Sequence, residues 1–105
     1  MENSSLDVVQ QLQSQGKKIL VDYWGAWCQP CKLLIPILEN IQPDYPDVIF
    51  LKIDVGPIIS QVRDMGITSV PTVKIYDGET LVSSTVGVKS ENFYRGELNK
   101  LSNNE

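Results

Sequence analysis

Leu6, Val9 and Leu12 recur at i, i+3 and i+6 behind a pair of serines, which places them on one face of a helix with Val8 in the same stripe. Ser4 or Ser5 is the candidate cap and Gly16 the candidate stop. The period then changes. "KKILVDYW" (17–24) is a continuous apolar run holding one aspartate, the pattern of a parallel strand buried on both faces. Leu34, Leu38 and Ile41, at i, i+4 and i+7, predict a helix over 31–42 with Pro36 kinking it from inside. "DVIFLKID" (47–54) predicts a second buried strand. Gly56-Pro57 opens a short helix that Gly66 closes. Residues 71–87 read as a β-hairpin turning at Asp77-Gly78. A last helix spans 89–101, with Ser90 as cap and Tyr94–Leu101 as its core stripe. Gly96 inside it costs about 1 kcal/mol relative to Ala, so this helix depends on packing. "SNNE" at the C-terminus is expected to fray.

The predicted order is α-β-α-β-α-β-β-α. Two strands joined through a helix form a right-handed, parallel βαβ unit, and the last two strands pair antiparallel. The expected fold is α/β: a mixed central sheet of about four strands with helices on both faces. "MENS" can hardly form an N-terminal edge strand, so such a strand is expected to be missing or very short. Strand 47–54 would then be the exposed edge, open to pairing with a second copy, although a monomer is the default expectation.

Composition narrows the function. A chain of 105 residues suggests a single domain over 1–105 that can bury a real core. Its net charge of −4 excludes the basic excess that nucleic acid or an anionic membrane demands. No basic-plus-apolar leader opens it and no run approaches the ~18–20 apolar residues of a membrane span, so a cytoplasmic protein is expected.

Both cysteines of the chain, Cys28 and Cys31, fall within "WCQPCK" (27–32). A secreted scaffold would use more cysteines at wider spacing. A bridge between these two closes too small a loop to constrain the unfolded chain much. Structural zinc needs about four ligands, and the chain has two Cys and no His, so a metal would need two chains. Position favours chemistry instead. The pair lies where the first strand feeds a helix, the end of a parallel strand that carries sites in open α/β sheets. Cys28 meets the unpaired N–H groups and positive end of that helix, which favour the reactive thiolate. Cys31, about one turn on, can reach it to close a disulfide. Pro30 fits the first turn, where its missing N–H costs little. The pattern suits dithiol–disulfide exchange: Cys28 attacks a partner's disulfide, and Cys31 then attacks Cys28 and releases the reduced partner.

With these residues in view, the chain resembles the thioredoxin family. "VDYWGAWCQPCK" (21–32) is similar to that family's active-site segment nearly residue for residue, and "GITSVPT" (66–72) to the segment with its cis-proline, here Pro71. "DGE" (77–79) and "VG" (86–87) fall where the family has its hairpin turn and a late glycine beside the site. The resemblance spans roughly residues 17–101, with the elements in order.

It implies a thioredoxin fold and a protein-disulfide reductase, with no bound cofactor beyond the redox-active Cys28–Cys31 disulfide. Cys28 would be the nucleophile and Cys31 the resolving thiol. Asp22 would relay protons for Cys31, with Lys52 as its charged neighbour. Trp27, Gln29, Pro30, Val70, Pro71, Val86 and Gly87 would hold a partner's extended backbone. The implied partners are disulfide-containing proteins and a thioredoxin reductase drawing on NADPH or ferredoxin. Trp24 reads as packing. Gln29 departs from the family's usual glycine and leaves redox potential and partner choice open. Gly56-Pro57 replaces a more acidic segment and has no function assigned by the resemblance. Two rival readings stand: a thioredoxin-fold binding module or subunit of a larger enzyme, and a specialised oxidase or isomerase. Gln29-Pro30 carries no charge to stabilise a thiolate strongly, which weighs against the oxidase.

Overall fold

The computed structural model describes residues 1–102. Ser5 caps helix α1 (Leu6–Ser14), its Oγ accepting the Val8 N–H at 3.3 Å. Leu6, Val9 and Leu12 turn towards the sheet. Val8 does not belong to that stripe and is 40% exposed. At 3.6 residues per turn it lies roughly 200° around the helix from Leu6. Strand β2 (Lys18–Trp24), helix α2 (Gln29–Ile41) and strand β3 (Val48–Asp54) form the parallel βαβ unit. A 3₁₀ turn (Gly56–Ile58) leads into α3 (Ile59–Asp64), so the short helix begins later than Pro57. The hairpin β4 (Thr72–Asp77) and β5 (Thr80–Val86) turns through Gly78, whose φ of 59° is the left-handed conformation a two-residue hairpin loop needs. In α4 (Glu91–Ser102), Ser90 Oγ accepts the Phe93 N–H at 3.1 Å. The helix carries through Ser102; the rest of the expected fraying, at 103–105, lies outside the described residues.

Among the described residues the sheet has five strands, not about four: with the N-terminal Glu2–Asn3 as β1, their order is β1-β3-β2-β4-β5. The N-terminal strand is present and very short: β1 (Glu2–Asn3) runs parallel to β3, with Glu2 opposite Leu51 and Asn3 opposite Lys52. The Ser4 N–H donates to the Lys52 carbonyl at 2.8 Å, and the Met1 ammonium donates to Glu39 Oε2 at 2.7 Å. Strand 47–54 is therefore not the outer edge, and a second copy loses its template at Leu51 and Lys52.

Alternation along the strands divides the core. Leu20, Phe50, Val73 and Ile75 pack with Leu34 and Leu38 of α2 and Tyr94 and Leu98 of α4. Ile19, Val21, Tyr23 and Ile53 pack on the opposite face with Val9 of α1 and Val62 of α3. Each fully buried aliphatic side chain contributes roughly 1.5–3 kcal/mol by leaving water. Asp22, two residues beyond Leu20, shares the face that α2 covers.

Candidate active site

Cys28 is the N-cap of α2, in extended conformation, and its Sγ accepts the Cys31 N–H at 3.2 Å. Helices leave their first N–H groups unpaired, so a cap that ends in sulfur places that atom against a donor and the positive end of the dipole. Pro30 sits in the first turn, where it removes no helical bond. One turn separates the two Cα atoms, 5.3 Å apart, and a disulfide joins Cys28 to Cys31. Cys28 keeps 7% of its surface and Cys31 none. An incoming group can therefore approach only the first sulfur.

Asp22 lies on β2 at the centre of the sheet, fully buried. Neither of its carboxylate oxygens has a hydrogen-bond partner among the described residues. Loss of water pushes the carboxyl up to about 7, while the charge of Lys52 pulls it back down. Lys52 stands opposite Asp22 in the β2–β3 register. Its Nζ lies 5.0 Å from the centroid of the Trp24 ring, a cation–π contact that gives Trp24 more than a packing role.

The loop before β4 closes the site from the other side. The Val70–Pro71 peptide bond is cis, and the Val70 carbonyl oxygen lies 3.7 Å from Cys28 Sγ. Thr72 Oγ1 donates to the Ser69 carbonyl at 2.6 Å and braces this loop. The Gly87 N–H donates to the Pro71 carbonyl at 2.9 Å. Gly87 takes a φ of 88°, open to glycine and strained for other residues. Tyr94 Oη donates to the Gly87 carbonyl at 3.2 Å and accepts the Lys89 N–H at 3.0 Å. Exposed around these groups are Trp27, Gln29, Pro30 and Val86. Thr72 and Tyr94 were missed as site supports. Tyr94 reads from its spacing as core, which it is, and nothing in the sequence says where its hydroxyl goes. Beside Trp27 lies a pocket of about 170 Å³ that also takes in Ile59, Arg63 and Ile67.

Among the described residues no group of His, Cys, Asp and Glu could hold a metal ion, and no helix is long and apolar enough to cross a membrane.

Two sulfurs that join across one helical turn, one reachable and one not, can pass two electrons to or from another disulfide. That fold and that pair define a thiol–disulfide oxidoreductase. The sequence model of the thioredoxin family matches residues 3–99, and the chain belongs to that family. It is 35% identical to the H-type thioredoxin of Chlamydomonas reinhardtii over 75% of this chain and 71% of that protein. A solved thioredoxin of Plasmodium falciparum superposes with a TM-score of 0.83 at 27% identity, covering 95% of this chain and 98% of that one. A bifunctional thioredoxin reductase/thioredoxin of Mycobacterium leprae is 34% identical over 74% of this chain, which spans 17% of that longer protein. The chain is a thioredoxin-type protein-disulfide reductase working by dithiol–disulfide exchange through its Cys28–Cys31 pair.

Proposed function

We propose that Cys28 is the attacking nucleophile and Cys31 the resolving thiol. The observation that carries this assignment is the N-cap geometry: Cys28 Sγ accepts a backbone N–H at 3.2 Å and the residue keeps 7% of its surface, while Cys31 keeps none. In the reduced protein the Cys28 thiolate attacks one sulfur of a partner's disulfide. That S–S bond breaks, a mixed disulfide forms, and the departing partner thiolate takes a proton. Cys31 gives its proton to the Asp22 carboxylate, attacks Cys28 Sγ and expels the second partner thiolate, which is protonated in turn. Two electrons have moved to the partner, and the Cys28–Cys31 disulfide has formed. Lys52 tunes Asp22 by charge. Trp27, Gln29, Pro30, Val70, Pro71, Val86 and Gly87 hold the partner's backbone beside Cys28.

Disulfide-bearing proteins are the substrates and a thioredoxin reductase recharges the pair. The fusion of the two activities in the Mycobacterium leprae relative supports this. NADPH or ferredoxin is the electron source of that reductase, and the protein serves cytoplasmic electron transport and redox homeostasis as one domain. The test is insulin-disulfide reduction driven by dithiothreitol, with wild type beside Cys28→Ser. Acceleration by wild type that vanishes in the variant supports the assignment. An active Cys28→Ser, or an inert wild type, would overturn it.

A further inference from the structure

We propose that Gly25 and Gly56 form a seat for the Trp27 indole and thereby set how the protein recognises the segment around a partner's disulfide. This deepens the reading above and rests on its placement of Trp27 at the partner groove. Four of the glycines, Gly16, Gly66, Gly78 and Gly87, take positive φ and are explained by backbone conformation. Gly25 and Gly56 do not, so their backbones accept any residue. A Cβ would press on the same ring in both places, hard at Gly25 and, together with Asp54, more lightly at Gly56. A Cβ on Gly25 would meet Trp27 Cη2 at 2.6 Å, Cζ2 at 2.7 Å and Cε2 at 2.8 Å. A Cβ on Gly56 would meet Asp54 Oδ1 at 3.2 Å and Trp27 Cζ3 at 3.3 Å. The benzo half of the indole thus lies on bare backbone from two separate loops, one before the active-site helix and one after β3. Asp54 steadies the second loop, its Oδ1 accepting the Gly56 N–H at 3.0 Å. By contrast Gly96, also without positive φ, has nothing within 4 Å of its virtual Cβ.

The seated ring is still 59% exposed. It walls the pocket of about 170 Å³ that Ile59, Ile67 and Val70 also line. Val70 ties that pocket to the chemistry, since its carbonyl lies 3.7 Å from Cys28 Sγ. The lining is mostly apolar, with Arg63, Thr68 and Ser69 as its polar members, so the occupant is an apolar side chain of the partner, close in sequence to its reacting cysteine. Laying a large aromatic down on glycine fixes the pocket's width before the partner arrives, and preorganisation of this kind shows in substrate affinity. Gly25 and Gly56 are positioning residues acting through Trp27.

The test is steady-state reduction of insulin by Gly25→Ala and Gly56→Ala, in wild-type and Trp27→Ala backgrounds. Gly25→Ala is expected to raise KM about fivefold with kcat within about twofold. Gly56→Ala should raise KM less, because its contact needs only a small shift. In the Trp27→Ala background neither glycine change should move KM further. Emission of Trp27, read in a Trp24→Phe protein, should shift to the red in Gly25→Ala as the ring lifts into water. An unchanged KM and emission, or an equal KM effect with and without the indole, overturns the seat. Should Gly25→Ala not fold, Gly56→Ala decides by the same readouts. If wild type fails to reduce insulin, the reading above is lost, and the Trp27 emission still decides whether the ring rests on these glycines.

Discussion

Asp22 and Lys52 stand opposite each other on β2 and β3, yet the aspartate accepts no hydrogen bond among the described residues and the lysine ammonium lies 5.0 Å from the Trp24 ring centroid instead. The lysine therefore acts on the aspartate through space. Burial is the larger influence, holding the carboxyl at about 7, and Lys52 opposes it. A carboxyl at that value can take a proton and return it near neutral pH, as the resolving step proposed above needs.

That placement destabilises the fold in a defined pH window. Folded, Asp22 holds its proton up to about 7; unfolded, it loses it near 3.8. Its contribution to stability is complete below about pH 4, falls as the pH rises through about 7, and levels off above. At 1.36 kcal/mol per pH unit the loss is about 4 kcal/mol. Asp22→Asn removes this titration. Urea unfolding of the oxidised proteins between pH 4 and 8 should show the variant gaining on wild type by roughly that amount. Parallel curves would mean that the carboxyl is not raised.

Lys52→Met removes the charge that holds Asp22 down, so the carboxyl moves further up. Less of it is ionised at pH 7 to accept the Cys31 proton. Resolution of a preformed mixed disulfide, followed by stopped flow, should slow several-fold at pH 7 and recover at higher pH. A uniform slowing at all pH values would point to damaged packing around Trp24 and not to proton transfer.

How much of this was legible in the sequence follows from the range of each interaction. Helix faces such as Leu34, Leu38 and Ile41 depend on local period, and all three are fully buried as that period requires. The Cys28–Cys31 pair announces itself by spacing. Strand β1 does not, because two residues have no period; Glu2 and Asn3 become a strand only by pairing with β3, with the Met1 ammonium fixed on Glu39. Val8 looked apolar and therefore internal, but its angle on the helix puts it outside. Gly56 reads as the opening of a short helix, since its approach to Trp27 joins positions about thirty residues apart, and Gly25, though only two residues from Trp27, meets that ring through a fold of the loop that no local period shows.

Tyr94 links the last helix to the groove. Its hydroxyl donates to the Gly87 carbonyl and accepts the Lys89 N–H, and Gly87 in turn donates to Pro71. Burial holds the phenol above its ordinary value, so it remains a donor at neutral pH. Tyr94→Phe leaves both partners unpaired and should cost about 1–3 kcal/mol in urea unfolding. Because Gly87 is held less firmly, KM for insulin should also rise. Lost stability with an unchanged KM would confine Tyr94 to the core.

Replacing Cys31 by serine separates attack from resolution. The group that Cys31 offers to Cys28 Sγ is its backbone N–H at 3.2 Å, which Cys31→Ser retains. Cys28 should stay a stabilised thiolate, still able to open a partner's disulfide, while the sulfur that would release the partner is gone. Cys31→Ser is therefore expected to accumulate a one-to-one mixed disulfide with insulin, visible on a non-reducing gel and dispersed by excess dithiothreitol. Turnover should fall by at least about 100-fold, since each molecule stops after one attack. Cys28→Ser should form no adduct. An adduct of equal yield in Cys28→Ser would make Cys31 the first nucleophile, against its complete burial. No adduct in either variant would show that the N-cap sulfur does not attack.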